Sequence, residues 1–255
     1  MPRTPQRSLR HEYELYVENE IEAYKESLPR RALLKLGDEA VAVLRDQAQL
    51  ALTELVVWEE VDRIISRRLR LVSYSTWRRR RLKDQRERQR PEHWGLSPDC
   101  ALAREVHPPA DSNVLVTGDG GESAACYLAA HGYEVFAVAP EPGIVERIVT
   151  AAAEHGLTER VHGYIGDLRE WSPEVQLGAV VWTPSTFSEL TAAERKHALD
   201  VLQTVTHDGG VHLVTGSGID APSVRELSAQ YRGWKVHVEG PESSPTSFLA
   251  RKGAA

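Results

Sequence analysis

Apolar residues in the first hundred positions recur three and four residues apart, which is the spacing of one face of a helix. The first such stripe comprises Tyr13, Tyr16, Val17, Ile21, Tyr24 and Leu28. Pro29 ends this helix, because proline is tolerated only in the first turn of a helix. The stretch from Glu39 to about Arg70 has no glycine or proline and predicts one long helix, capped by the Gly37-Asp38 pair. Ser75 is expected to cap a further helix that runs through the arginines at 78–81.

After residue 111 the pattern changes to short apolar strands that alternate with amphipathic helices. The pattern predicts strands at 113–117, 134–138, 161–165, 179–182, 210–214, 234–238 and 247–250, and helices at 122–131, 144–155, 192–205 and 221–231. Such alternation is typical of βαβ units and a mainly parallel sheet. The last two strands are separated by too few residues for a crossover helix. They are therefore expected to form an antiparallel hairpin at the edge of the sheet.

Two stretches rich in turn-forming residues, 90–98 and 107–109, separate these halves. They predict a domain boundary within 91–111. The expected organisation is a helical N-terminal domain at 1–95, a linker at 96–111 and an α/β domain at 112–255.

Composition narrows the classes of protein that fit this pattern. The chain has 255 residues, of which 41% are hydrophobic and 27% charged, so it can bury a core. No apolar run approaches the ~20 residues that a membrane-spanning helix needs, and no apolar stretch follows the N-terminus as in a secretory signal. Cys100 and Cys126 are the two cysteines, too few for a disulfide framework or a cysteine-rich metal site. We expect a cytoplasmic protein without a membrane partner or a bound metal.

The formal net charge of −6 conceals a basic segment at 63–90, which has twelve basic and two acidic residues. Arginine side chains bind phosphates, and Tyr74 and Trp77 lie among them as aromatic groups on which bases stack. One interpretation is therefore RNA binding. The alternative, favoured because no RNA-binding motif accompanies the charge, is that these arginines pair with acidic surfaces of the protein itself. The N-terminal helices are expected to cover a substrate pocket, or to bind a protein partner or a second copy of the chain.

A glycine-rich loop, 118–121, follows the first strand of the α/β half directly. Glycine lets a backbone approach a ligand closely, and the helix that follows presents free N–H groups. Ser123 stands where a dinucleotide-binding fingerprint has its third glycine, and a tight turn without a ligand gives the same pattern.

Several segments in order carry a resemblance to a known family: 114–120, 128–138, 166–171, 207–211, the strand at Trp234 and the hairpin that ends at Arg251-Lys252. Residues 111–252 resemble the class I S-adenosylmethionine-dependent methyltransferases, in particular their small-molecule and tellurite-resistance-type branch. The resemblance implies a Rossmann-like sheet with a terminal antiparallel hairpin. It also implies S-adenosylmethionine as the cofactor.

The resemblance assigns roles to positions of this sequence. Gly118 and Gly120 match the loop that faces the amino-acid part of the cofactor, and Asp167, followed by Leu168, matches the contact to adenine. A carboxylate accepts a hydrogen bond from the adenine amine, although an aspartate in a Gly-Asp turn is also an ordinary helix cap. Thr183, after the fourth strand, is expected to line the cofactor pocket or simply to end the strand.

Two positions depart from the family pattern, because Val116 and Ala139 stand where acidic residues are common. Glu141 is the candidate replacement at the ribose, with a solvated turn residue as the alternative. Asp119 and Glu122 are candidates for the contact to the cofactor's ammonium group.

The acceptor is expected beside the fourth strand, at Trp182 and Phe187, and no nucleophile–base pair marks a catalytic residue. We therefore expect methyl transfer to a small molecule. The alternatives are a methyltransferase-like binding or assembly protein that has lost catalysis, and an RNA methyltransferase that uses the basic segment.

Overall fold

The computed structural model describes residues 8–45, 54–171, 173–183, 185–186, 190–215, 223–240 and 247–253. Contacts divide the chain into two compact units, Met1–Asp84 and Gln85–Ala255. The 96–111 segment, which the sequence marks as a linker, begins after this division. Leu102 and Val106 of that segment are buried in a core of the second unit.

Helices make up the first unit. They are α1 (Leu9–Ser27), α2 (Arg30–Arg45), α3 (Glu54–Leu69) and α4 (Tyr74–Arg88), the last of which continues into the second unit. The first helix ends before Pro29, as the sequence predicts. Its Ile21 joins Leu36 and Ala40 of α2 and Val61 and Ile65 of α3 in a buried apolar cluster.

The predicted long helix from Glu39 to Arg70 is wrong. The helix that contains Glu39 starts at Arg30 and passes through Gly37 and Asp38 without ending. Arg68, near the end of α3, forms an ion pair with Glu39 of α2. In one straight helix these two residues would be about 43 Å apart at 1.5 Å per residue, so α2 and α3 are two separate helices. Residues 46–53 lie outside the described residues.

The residue that caps the fourth helix lies two positions before the predicted one. Helix α4 begins at Tyr74, and the hydroxyl of Ser73, not of Ser75, accepts a hydrogen bond from the backbone N–H of Thr76 at 3.4 Å.

The second unit contains a seven-stranded sheet flanked by helices. After a 3₁₀ turn (Pro91–Trp94), its elements are α5 (Ala101–Glu105), β1 (Asn113–Thr117), α6 (Glu122–Ala130), β2 (Glu134–Ala139), α7 (Pro142–Glu154), β3 (Val161–Ile165), β4 (Leu177–Trp182), α8 (Ala192–Val205), β5 (Thr206–Thr215), α9 (Val224–Gln230), β6 (Lys235–Glu239) and β7 (Ser247–Arg251). The strand order is β3-β2-β1-β4-β5-β7-β6. Strands β1 to β5 are parallel, and β7 pairs antiparallel with both β5 and β6. The predicted α/β fold with a terminal hairpin is thus confirmed, and the sheet is Rossmann-like.

Each face of the sheet carries its own apolar core, because side chains alternate along a strand. Val114 and Val116 of β1 point into the core formed with α6 and α7, which includes Ile148. Leu115 points into the opposite core, which contains Leu199 of α8. Burial on both faces explains why the central strands read as nearly continuous apolar runs. No helix among the described residues is long and apolar enough to cross a membrane.

Candidate functional site

A cavity of about 160 Å³ lies at the carboxyl ends of the parallel strands. Ligands of open α/β sheets bind at this edge, where the strand order reverses around β1. Five of the residues that the sequence predicts for cofactor binding line the cavity: Gly118, Asp119, Glu141, Asp167 and Leu168. They come from the ends of β1, β2 and β3, so the fold brings together residues up to fifty positions apart.

The glycine loop closes tightly over a group of hydroxyls. Gly118 has a φ of 86°, and a Cβ at this position would overlap the hydroxyl oxygens of Thr183 and Thr186. Thr183 Oγ1 lies 2.9 Å from Ser185 Oγ, and Ser185 Oγ accepts a hydrogen bond from the backbone N–H of Asp119 at 3.0 Å. Thr183 is buried and contacts the loop through Ser185, whereas Ser185 and Thr186 line the cavity.

Arg147 of α7 binds both acidic residues predicted for the cofactor's ammonium group. Its guanidinium forms an ion pair with Asp119 and lies 3.0 Å from Glu122 Oε1. Hydrogen bonding to Glu122, followed by the charges of the two carboxylates, raises the pKa of Arg147 despite partial desolvation. The two acids are therefore held by a residue 25 or more positions away. Glu122 and Gly120 do not line the cavity itself.

Asp167 is held by a neighbouring arginine. Its carboxylate accepts a hydrogen bond from the backbone N–H of Arg169 at 2.9 Å and from Arg169 Nε at 2.6 Å. These bonds lower the pKa of Asp167, so it is an anion at neutral pH. Arg169 also lies 3.3 Å from Glu194, a carboxylate whose pKa is lowered chiefly by its hydrogen bond to the backbone of Thr191 at the start of α8.

The positions that lack the family's acids are closed to a ligand. Val116 and Ala139 are 0% and 1% exposed, and both belong to the core on the α6–α7 side. Glu141 stands at the N-cap position of α7 and lines the cavity with Ile144. Its carboxylate can therefore accept a hydrogen bond from a ligand in the cavity, although it stands two residues after Ala139, where the resemblance expects the acid.

The residues predicted for the acceptor are not brought into this cavity. Trp182 is fully buried in the core on the α8–α9 side, so the geometry does not support its predicted contact with a substrate. Phe187 lies outside the described residues.

Ser185 and Thr186 also line the cavity and belong to the stretch after the fourth strand where the acceptor is expected. Sequence reasoning missed five other cavity residues: Val138, Pro140, Ile144, Arg169 and Leu190. Arg169 had a local signal, because an arginine two residues after a candidate adenine-binding acid competes for its oxygens. The others had none. They reach the cavity only through the pairing of β1 with β2 and β4.

A second, wider groove adjoins the cavity and shares Asp167 and Arg169 with it. It is about 750 Å³ and is further lined by Glu170, Ala193, Glu194 and His197. Arg169 therefore stands between two recesses. Among the described residues, no group of three or more His, Cys, Asp or Glu side chains is placed to hold a metal ion.

Comparison with known proteins gives structural similarity without sequence similarity. No family model matches the chain, and no curated protein matches it significantly. One similar solved structure is the N-methyltransferase NodS from Bradyrhizobium japonicum WM9, at 13% identity and a TM-score of 0.45, over 57% of this chain and 88% of that one. Another is a TehB-like S-adenosylmethionine-dependent methyltransferase from Corynebacterium glutamicum, at 14% identity and a TM-score of 0.47, over 57% and 82% of the two chains.

A third similar structure is the glycopeptide N-methyltransferase MtfA in complex with S-adenosyl-L-homocysteine, at 15% identity and a TM-score of 0.48, over 65% of this chain and 88% of that one. At this level of similarity the assignment of the fold rests on the strand order and terminal hairpin of this chain itself.

Proposed function

We propose that this protein transfers a methyl group from S-adenosylmethionine to a small-molecule acceptor. The observation that carries the proposal is the convergence of Gly118, Glu141 and Asp167 on one cavity at the ends of β1, β2 and β3. The sequence resemblance expects the amino-acid contact at Gly118 and the adenine contact at Asp167, and Glu141 is the candidate replacement for the ribose acid that is missing at Ala139.

The residues of the cavity fit the parts of such a cofactor. The strained loop at Gly118 leaves backbone accessible to a ligand, Glu141 offers oxygens to ribose hydroxyls, and Asp167 retains lone pairs for an adenine amine. Leu168 supplies an apolar surface for the adenine ring. When bound, the cofactor supplies an electrophilic methyl group on a sulfonium ion.

Charge around the cavity suits a cationic ligand. Five carboxylates in and around the cavity, of Asp119, Glu122, Glu141, Asp167 and Glu194, outnumber two guanidinium groups, of Arg147 and Arg169. A recess with an excess of negative charge raises the local concentration of cations. Methyl transfer depends mainly on positioning and on exclusion of water, so this site needs no strong catalytic base.

The small volume of the cavity indicates that Arg169 moves when the cofactor binds. The cavity of about 160 Å³ is smaller than the ~300 Å³ at the lower end of ligand pockets. Arg169 separates it from the wider groove, and its side chain is 47% exposed. Exposed ion pairs are weak, so displacement of Arg169 from Asp167 is an inexpensive way to join the two recesses.

Calorimetry of the full chain with S-adenosylmethionine and S-adenosylhomocysteine tests the proposal. We expect binding by the unaltered protein and an affinity about tenfold or more lower in Asp167→Ala, because a hydrogen bond to a charged group contributes about 1.5–3 kcal/mol. Glu154→Ala is the matched control, since this exposed carboxylate at the end of α7 lines neither the cavity nor the wider groove. Absence of binding at millimolar ligand, or equal losses in both variants, would contradict the proposal.

A second candidate function is a binding or assembly protein that has the fold without the catalysis. Burial of Val116 and Ala139 favours it, because neither side chain offers the oxygen that the family places there. Radiolabelled S-adenosylmethionine incubated with a deproteinised cell extract separates the two. Transfer of label to small molecules that Asp167→Ala abolishes supports the enzyme, and binding without any transfer supports the second function. A cytoplasmic location and a protein partner for the N-terminal helices stay predictions.

A further inference from the structure

The basic residues of α4 are divided between two sides of the helix. Tyr74, Trp77 and Arg81 follow one another at steps of three and four, so they share one side, and Arg81 pairs with Glu12 of α1 at 3.2 Å. Arg79, Arg80 and Lys83 are related by the same steps on the other side, and all three are exposed. We call these three residues the outer face of α4.

Ion pairs within the protein do not account for the outer face. Arg63, Arg68 and Arg81 of the basic segment pair with Glu60, Glu39 and Glu12, as the self-pairing interpretation expects. Arg79, Arg80 and Lys83 form no ion pair within the described part of the chain. Asp84 is the one acidic residue between positions 74 and 84, against five basic ones. The outer face is therefore a solvent-exposed stripe of positive charge on a rigid element.

The aromatic residues of α4 are not available to a ligand. Trp77 packs against Tyr13 and Tyr16 of α1 with ring centroids 5.6 and 6.3 Å away. The ring of Tyr74 lies 5.4 Å from that of Tyr13, and the guanidinium of Arg10 lies over it at 5.2 Å. The stacking surfaces that single-stranded RNA would use are thus occupied within the first unit.

These placements favour one class of polyanion over the others. A helix that binds a membrane surface needs an apolar side next to its cations, and α4 has none that is free. The major groove of duplex RNA is too narrow for protein side chains. B-form DNA has a major groove about 12 Å wide, which admits a helix about 10–12 Å in diameter. We propose that the outer face of α4 enters the major groove of duplex DNA, where its three cations bind the flanking phosphates.

Three cations set the expected salt dependence. Each phosphate neutralised contributes about −0.9 to the slope of log affinity against log salt, so three contacts give about −2.7. Affinity for duplex DNA should then fall about 40-fold between about 50 and 200 mM salt. The outer face shares no residue with the cofactor cavity, so DNA binding is measured independently of methyl transfer.

Fluorescence anisotropy of the full chain with a labelled DNA duplex of about two helical turns tests the proposal. The variant Arg79→Ala/Arg80→Ala/Lys83→Ala should lose at least tenfold in affinity at low salt, and its salt slope should be shallower than that of the unaltered chain by about 2.7. The control Arg30→Ala/Arg31→Ala/Lys35→Ala removes the same charge from exposed positions of α2 and should bind within about twofold of the unaltered chain.

Circular dichroism and thermal unfolding establish that both variants are folded, which keeps a loss of binding attributable to the altered surface. Single-stranded RNA and hairpin RNA of the same length are the competing probes. Equal losses in the two variants, tighter binding to either RNA, or no binding to the duplex at low salt would each overturn the proposal.

Discussion

His212 lies in the middle of β5 with a fully buried imidazole that takes part in two hydrogen bonds. Its Nε2 is 2.8 Å from Thr206 Oγ1, and its Nδ1 is 2.8 Å from the hydroxyl of Tyr231. The Thr206 hydroxyl donates its proton to the carbonyl of Leu202 at 2.6 Å. Nε2 must therefore carry the proton and donate to Thr206, and Nδ1 accepts from Tyr231. A second proton on Nδ1 would break this chain of bonds.

Burial, and secondarily the charge of Lys252, lowers the pKa of His212 from 6.5 to about 3. The unfolded chain binds a proton at this residue below about pH 6.5, whereas the folded chain does so only near pH 3. Stability is therefore fully present above pH 6.5 and is lost as the pH falls through this window. The loss reaches about 1.4 kcal/mol at pH 5.5 and about 2.7 kcal/mol at pH 4.5.

Chemical denaturation followed by tryptophan fluorescence at about pH 7, 5.5 and 4.5 measures this effect. His212→Gln keeps a donor and an acceptor but does not titrate, so its free energy of unfolding should fall less between neutral and acid pH, by the amounts above. The difference between pH values is the measured quantity, so a general destabilisation of the variant does not obscure it. His197→Gln, at an exposed position of α8, is the control. Parallel pH dependence in the unaltered chain and His212→Gln would refute the reasoning.

Two further predictions concern the glycine loop and the cysteines. Gly118 and Gly120 both have positive φ, but a Cβ would meet a neighbour only at Gly118. Gly118→Ala should therefore lose binding of S-adenosylhomocysteine. Gly120→Ala should only lose about 1–2 kcal/mol of stability to backbone strain, as measured by chemical denaturation. Equal binding of S-adenosylhomocysteine by both variants would refute the close packing of Gly118 against Thr183 and Thr186. Burial, and then Glu122, raises the pKa of Cys126 to about 11 from 9.0, so with a thiol reagent near pH 8 it should react about 100-fold more slowly than an ordinary cysteine. In the Cys100→Ser variant only the slow reaction of Cys126 with the thiol reagent should remain. A fast reaction of Cys126 in this variant would contradict its burial.

From β1 onward, the order and type of the elements in the second unit follow from the sequence by itself, whereas the pattern did not predict the short helix α5. Periodicity of apolar residues is a local property, since a helix repeats every 3.6 residues and a strand every two. The short segment between the last two strands also required an antiparallel hairpin. The glycine loop is likewise visible in local residue types, whereas Asp167 is a candidate only through the resemblance to the methyltransferases.

Contacts between distant residues depended on the tertiary structure. Pairing of β1 with β2 and β4 decided that Gly118, Glu141 and Asp167 line one cavity and that Trp182 does not. Local patterning predicted a continuous helix after Glu39, because no residue there breaks a helix. Packing of α2 against α3 buries apolar side chains of both, and a local pattern does not show that stabilisation.

The partners of charged and aromatic residues were likewise decided by packing. Asp119 and Glu122 are bound by Arg147 from the following helix, and Trp77 is turned toward Tyr13 and Tyr16. The sequence shows which residues are charged or aromatic. Their partners depend on which side chains the fold brings within a few ångströms of them. The periodicity of the chain therefore determined its elements, and the strand order and helix packing determined its candidate sites.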